Sequence, residues 1–341
     1  MQAIRLRSRA SNHDYGELVQ RLDSFLLSDA VICPSAGAVF GVRYGPSDYT
    51  YPEIAGYYLS FLAGLMRRRE SARAVVERRA RQVVAWLQSI SHPDMPLTRY
   101  YAFDGMQDWR NDFVFSFDLA MILRGLAHQH PIGVVSWDAS SLADYLLAKM
   151  TGEDGRLAAV HARGVSAAPS GWATRIDAYQ LKTAAGIACY AREYGHAALS
   201  KLAEQTAGKC MPTSANVLRQ LPLHPRFYAL EGLLSLQGRD CHPQVGAAVL
   251  RGLEEGSPDI QRVDVLAQAL RLCCITRPEH PAVHRLASTL GRVVDQDGSV
   301  RFRLDSSGPE RNTWCALFVR QALSYYLAIL NGEDIDVSHI I

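Results

Sequence analysis

The chain has 341 residues, 48% hydrophobic and 21% charged, with a formal net charge of +2. This is a globular composition, long enough for one large domain or two ordinary ones, and it excludes a disordered chain. The near-neutral charge argues against a nucleic-acid footprint, and no uninterrupted apolar run approaches the ~18 residues of a membrane-spanning helix.

Residues 1–12 read as a short, basic, flexible segment with Arg5, Arg7 and Arg9 and without the apolar core of a signal peptide. Residues 13–29 carry Tyr15, Leu18, Val19, Leu22, Phe25 and Leu26 at helical spacing. Residues 37–45 read as a short hairpin or extended loop. A helix then starts at Pro52, whose missing N–H costs nothing in a first turn, and runs to about Arg69. Glu53 stands at the positive end of its dipole. Behind Glu53, Ile54, Tyr57, Tyr58, Phe61, Leu62 and Leu65 make the helix apolar nearly all round, which marks it as buried. Residues 71–90 are different: arginines alternate with Val75, Val76, Val83, Val84 and Leu87, giving an amphipathic, surface-facing helix.

The same pair recurs along the chain. Residues 113–129, 176–193, 225–236, 262–276 and 312–330 are mostly apolar, and 136–150, 196–208, 243–255 and 280–294 are amphipathic. Asp104-Gly105, Asp154-Gly155 and Asp297-Gly298 lie between an amphipathic helix and the next apolar one, each beside extended-looking residues, and Asp-Gly is a strong hairpin signal. The repeating unit is an outer helix, a small hairpin and an inner helix, with a loose period of roughly 40 to 60 residues. Six such units predict an all-α (α/α)6 toroid forming one domain over residues 13–341, with short β-hairpins in its connecting loops. No polar capping repeat of a solenoid is visible.

Several segments resemble proteins of the six-hairpin glycosidase-like superfamily, some of them linked to polysaccharide biosynthesis. Tyr51-Pro52-Glu53-Ile54-Ala55-Gly56-Tyr57 is similar to a YPEITGY-type motif of that group. Phe117-Asp118 with Leu123-Arg124-Gly125-Leu126, the run from Tyr228 to Leu234, Arg262-Val263-Asp264 with Ala267-Gln268, and Asn312-Thr313-Trp314 with Gln321-Ala322-Leu323 resemble further segments. The resemblance spans about residues 35 to 330 and is more specific for fold than for reaction. It implies an architecture shared with glycoside hydrolases, N-acylglucosamine 2-epimerases, uronate lyases and the helical domain of glucuronyl C5-epimerases. Two departures lie near the presumed site: Ala55 replaces the usual Thr, and Leu119-Ala120-Met121 replaces the Thr-Gly that follows Phe-Asp.

The segments that open the inner helices are polar where the helices are not: 49–53, 108–118, 172–177, 224–228, 262–264 and 311–314. In a ring of hairpins these converge on one end of the barrel, where helix N-termini favour anions. Aromatic faces and arginine forks there suit an acidic sugar. Glu53, Asp118, Asp177, Asp264 and His224 are the candidate catalytic residues. Tyr51, Tyr57, Trp109, Asp112, Trp172, Arg175, Arg226, Tyr228, Arg262, Asn312 and Trp314 are the candidate substrate-binding residues. Hydrolysis would use two carboxylates flanking the bond. Epimerisation or elimination would use a base such as His224 with an anion-stabilising arginine.

The expected function is a carbohydrate-active enzyme, glycosidase-like or an epimerase or lyase, acting on an acidic or amino sugar, with a role in surface-polysaccharide metabolism. The rival reading is a non-catalytic glycan-binding or scaffold protein. The seven cysteines form no CxxC pair and several sit in apolar runs, which reads as reduced thiols of a cytoplasmic protein. No P-loop or GxGxxG occurs, Cys241-His242 and Trp314-Cys315 lack the context of a zinc site, and the Asp-rich motifs of isoprenoid cyclases are absent. Neither metal nor cofactor is expected. The expected partner is a sugar or acidic saccharide, without nucleic acid or membrane insertion.

Overall fold

The computed structural model describes residues 12–45, 48–67, 72–92, 95–96, 101–102, 105, 108–162, 164, 167–212 and 218–341. The expected flexible segment thus falls almost wholly outside the described residues, as do Arg68, Arg69 and Asp104. Among the described residues there are twelve α-helices: α1 (Asn12–Leu26), α2 (Pro52–Met66), α3 (Arg73–Ile90), α4 (Ser116–Gln129), α5 (Ser140–Lys149), α6 (Gln180–Tyr194), α7 (Ala197–Cys210), α8 (Leu223–Gln237), α9 (His242–Glu254), α10 (Val263–Thr276), α11 (Pro281–Gly291) and α12 (Thr313–Asn331). The even-numbered helices form the inner ring. Each packs on the next, and α12 returns to α2, while the odd-numbered helices lie outside them. This is the (α/α)6 toroid.

The division follows from the side chains. All fourteen residues of α4 are buried, whereas α3 buries only Val76, Arg79, Ala80, Val83, Val84, Trp86 and Leu87. By length and composition alone α12 could cross a membrane, but 72% of that stretch is buried inside the toroid, so its apolarity is that of a core helix. Glycines let neighbouring inner helices approach closely. A Cβ on Gly56 of α2 would lie 2.4 Å from the Met121 carbonyl oxygen of α4, and one on Gly125 of α4 would lie 2.4 Å from the Gly56 carbonyl oxygen.

Short strands feed the inner helices at one end of the ring. β1 (Phe40–Arg43), β2 (Tyr49–Thr50), β5 (Tyr101–Ala102) and β8 (Arg311–Asn312) form an antiparallel sheet in the order β5-β2-β1-β8. That sheet ties the entrance of α2 to the entrance of α12. β3 (Ser91–His92) pairs with β4 (Met95–Pro96), and β6 (Phe113–Phe115) pairs with β7 (Val160–Ala162). The Asp154-Gly155 and Asp297-Gly298 turns close as expected, with bridges Thr151 to Leu157 and Val294 to Val300. Gly298 adopts φ +81°, and a Cβ there would meet the Arg21 carbonyl at 2.1 Å, so only glycine fits this turn against α1.

Helix boundaries differ from the sequence reading where apolar residues have a second use. Phe113, Val114 and Phe115 continue the apolar pattern of α4 but form β6, because β7 supplies backbone partners and both faces are covered. The helix begins only at Ser116. Residues 176–179 likewise precede α6 rather than belonging to it.

Candidate active site at the barrel mouth

Five inner helices each bring a first-turn side chain to the strand-lined end: Glu53 on α2, Asp118 on α4, His224 on α8, Asp264 on α10 and Trp314 on α12. Trp172 comes from the short 3-10 turn Trp172–Thr174 ahead of α6. The four ionisable groups are all buried.

Glu53 and Asp118 form one electrostatic unit. Tyr51 donates to Asp118 Oδ2 at 2.7 Å. Burial pushes the Glu53 carboxyl up to about 7, against a hydrogen bond from Tyr57 and the charges of Lys182 and Arg110. Burial and the neighbouring Glu53 hold Asp118 well above the usual carboxylate range. Two neighbouring carboxyls in a dry site cannot both ionise cheaply, so the environment favours a proton held on the pair.

His224 is fixed on the other side of the ring. Its Nδ1 lies 2.9 Å from Gln268 Oε1 and 3.5 Å from Asp264 Oδ2. Both neighbours accept hydrogen bonds, so Nδ1 carries the proton and Nε2 keeps its lone pair. Burial pulls the imidazole down to about 4, with the Asp264 charge opposing, so the ring is neutral at pH 7. Asp264 is held in turn by a two-pronged bond from Arg262, with Nε to Oδ1 at 3.1 Å and Nη2 to Oδ2 at 2.7 Å. The imidazole stands in a box of rings, 4.5 Å from Tyr228, 5.4 Å from Trp314 and 5.5 Å from Trp172 between centroids. Among the described residues three buried polar atoms of this box lack a hydrogen-bond partner: His224 Nε2, Gln268 Nε2 and Trp314 Nε1. Buried polar groups are normally paired, and three orphans in one aromatic box mark a place for a polar ligand.

The remaining candidates divide clearly. The Tyr57 and Tyr228 hydroxyls lie 3.3 Å apart, and Tyr57 lines the wall between the carboxyl pair and His224. Trp109 lies at the rim, 37% exposed, edge-on to Phe113 and Phe115. Asn312 accepts from the Cys315 N–H as the cap of α12, so its oxygen is already used. Asp177 accepts from the Ala178 N–H and is half-buried, while Arg175 and Asp112 are exposed. Arg226 is buried but turns away from the mouth, binding Glu255 Oε2 at 2.6 Å and the carbonyls of Arg219 and Leu221.

Two residues that matter here were not among the candidate site residues read from the sequence. Arg110, whose Nη1 donates to Asp108 Oδ2 at 2.7 Å, lowers the pKa of Tyr51, Glu53 and Asp118 by its charge. Its place next to Trp109 in a mouth segment was the available signal. Gln268 lies one turn after Asp264 on α10, a spacing that puts both on one face. Among the described residues no group of three or more His, Cys, Asp or Glu side chains is placed to hold a metal ion.

No family model matches the chain, and no curated protein matches it. Solved structures do. A D-mannose isomerase superposes with a TM-score of 0.70 at 10% identity over 96% of this chain and 100% of that one. Cellobiose 2-epimerase from Spirochaeta thermophila gives 0.67 at 13% identity over 97% and 99%. A type II terpene cyclase from Scytonema gives 0.57 at 13% identity over 95% and 100%. The fold is therefore the (α/α)6 toroid that these structures share. Since the same architecture holds a terpene cyclase, chemistry has to be argued from the site.

Proposed function

We propose that this protein is a sugar isomerase or epimerase that moves a proton at a carbon next to a carbonyl. The observation that carries the reading is the neutral His224, its Nε2 unpartnered in an aromatic box, set in the same barrel mouth as a proton-bearing carboxyl pair. His224 Nε2 removes the carbon-bound proton, and the electron pair moves into the carbonyl, giving an enediol. The Glu53/Asp118 pair delivers a proton to the developing alkoxide oxygen, and Asp264 stabilises the imidazolium that forms. A proton then returns to the neighbouring carbon, or to the other face of the same carbon, while the carboxylate left in the Glu53/Asp118 pair takes a hydroxyl proton from the enediol so that the carbonyl reforms, completing isomerisation or epimerisation. Such positioned acid–base groups contribute on the order of 10²–10⁴-fold each. The rings of Trp172, Tyr228 and Trp314 supply stacking surfaces, and Arg110 and Arg262 favour an acidic or amino sugar bearing a carboxylate or other acceptors. The sugar neighbours, a mannose isomerase and a cellobiose epimerase, support the same class. We place the reaction in the cytoplasm, in the supply of sugars for surface polysaccharides.

Hydrolysis fits less well. It needs two carboxylates on opposite sides of the bond, and the carboxylate facing the Glu53/Asp118 pair, Asp264, has both oxygens committed to Arg262. The test is proton exchange: purified protein is incubated in D₂O with aldoses, amino sugars and uronates, and followed by NMR. Deuterium should appear at the carbon next to the carbonyl, and His224→Gln should slow it by about 10²-fold or more while the melt is retained. Release of free sugar from a glycoside without deuterium at carbon would overturn the reading in favour of hydrolysis. Binding without either change would favour a glycan-binding protein.

A further inference from the structure

The opposite end of the barrel carries a cavity with charged side chains in its lining, far from the first-turn residues of the mouth. It lies at the seam where the first and last inner helices meet, between the C-terminal half of α2, the middle of α12 and the segment that follows α12. Its volume is about 240 Å³, and its lining includes Gly64, Arg67, Arg320, Tyr325, Asp336 and His339. Two arginines and a histidine therefore face one carboxylate.

The charges do not balance locally. Arg320 is spent on Asp23, with Nε to Oδ1 at 2.7 Å. Lys182 and Arg271 share Glu231 and the Ile341 oxygen. Arg67 touches His339 and forms no ion pair among the described residues. Behind His339, Arg124 is 3% exposed and gives Nη2 to the Ser338 carbonyl at 3.3 Å, while its Nε and Nη1 have no hydrogen-bond partner among the described residues. The acidic charge that reaches Arg124 is that of Glu231, which Lys182 and Arg271 already share, and a buried guanidinium so thinly compensated is costly. His128 sits beside the same group, its ring 4.5 Å from that of His339. Among the described residues of the cavity lining, Asp336 is the acidic side chain beside the cluster of Arg67, Arg124, His128 and His339, and its Oδ2 lies 3.6 Å from His339 Nε2.

We propose that this seam cavity is a second ligand site, distinct from the barrel mouth, that binds a small molecule through an anionic phosphate or carboxylate head. Arg67 in its lining recognises the head, the buried Arg124 adds positive charge from behind the lining, and the Tyr325 and Phe61 rings flank the rest. The inference does not depend on the reaction proposed for the mouth.

The experiment is a thermal-shift titration of the full chain with inorganic phosphate and, separately, malonate, against sodium chloride at equal ionic strength. A specific anion raises Tm saturably as ln(1 + [L]/Kd). A rise of a few degrees with phosphate alone assigns a phosphate head, and one with malonate alone a carboxylate head. Two variants make the result specific. Arg67 is exposed, so Arg67→Ala removes the recognising charge without touching the core. A Cβ on Gly64 meets nothing within 4 Å, so Gly64→Leu occupies the cavity with no backbone in its way. Both should abolish the anion-dependent rise, with the anion-free melt of Gly64→Leu at or above that of the parent. Absence of a saturable rise with either anion, or a rise that persists in both variants, would overturn the proposal.

Discussion

Glu53 binds its proton more tightly folded than unfolded, and this has a sign that can be measured. Its carboxyl is pushed from an ordinary 4.5 to about 7, chiefly by burial. Between those values the folded state holds more protons than the unfolded one, so stability falls as pH rises through that window and levels off above it. At about 1.4 kcal/mol per pH unit the loss is on the order of 3 kcal/mol. His224 works in the opposite sense: its pKa is lowered from 6.5 to about 4, so its contribution is present above 6.5 and is lost as pH falls toward 4. The comparison that isolates Glu53 is urea unfolding of the parent and Glu53→Gln at pH 5 and pH 8. The variant should lack the Glu53 component while keeping that of His224. Equal pH slopes in the two proteins would show that Glu53 is ionised throughout. At this scale the sequence pointed to Glu53, Asp118, His224 and Asp264 because a polar residue in the first turn of an otherwise apolar helix stands out, and all four are buried in such turns. It misled on Arg226, which has the same pattern but pairs with Glu255 on the outer side. Side-chain direction is set by which neighbour lies within reach, and that neighbour is 29 residues away.

Among the elements, the inner helices depend on glycine where they touch. A Cβ on Gly232 of α8 would fall 2.3 Å from the Leu181 carbonyl carbon and the Lys182 nitrogen of α6, and backbone cannot step aside cheaply. Gly232→Ala, like Gly56→Ala, is expected to cost about 1–3 kcal/mol as an overpacked contact. Gly64, in the same helix as Gly56, faces open space. Gly64→Ala should therefore gain up to about 1 kcal/mol from helix propensity alone. Chemical denaturation of the three variants checks this, and similar losses in all of them would refute the distinction. The helical periodicity that announces these elements says nothing of which glycine faces a neighbour's backbone. The same limit explains β6: an apolar Phe-Val-Phe run is compatible with helix or strand until its partner β7 is in place.

For the whole molecule, the axis of the ring is polar beneath the mouth. Glu231 of α8 takes Lys182 of α6 at 2.6 Å and Arg271 of α10 at 2.5 Å, all three fully buried. Lys182 and Arg271 also reach the Ile341 oxygen at 2.8 Å, so one carboxylate joins three inner helices to the segment after α12. Burial pulls Lys182 down to about 7, with Glu231 opposing and Arg124 and Arg271 assisting. Glu231→Leu would strand two cations in the core and should cost about 3–5 kcal/mol, read as a drop in the urea midpoint. A loss below about 1 kcal/mol would mean that the pair is compensated elsewhere.

What the sequence determined by itself was the alternation of buried and half-buried helices, their number and order, and the end at which polar first turns gather. These follow from local periodicity, because a helix's burial is written in its own 3.6-residue pattern. The tertiary structure alone decided which of the gathered residues share a site. It joined Tyr51 to Asp118 and His224 to Gln268 and Asp264, committed Asn312 to a cap, sent Arg226 outward, and set a cation-rich cavity at the seam of α2 and α12. Apart from the local Asn312 cap, those pairings are between residues tens of positions apart, and the electrostatics and desolvation that set a group's chemistry act over a few ångströms of space, whatever the distance along the chain.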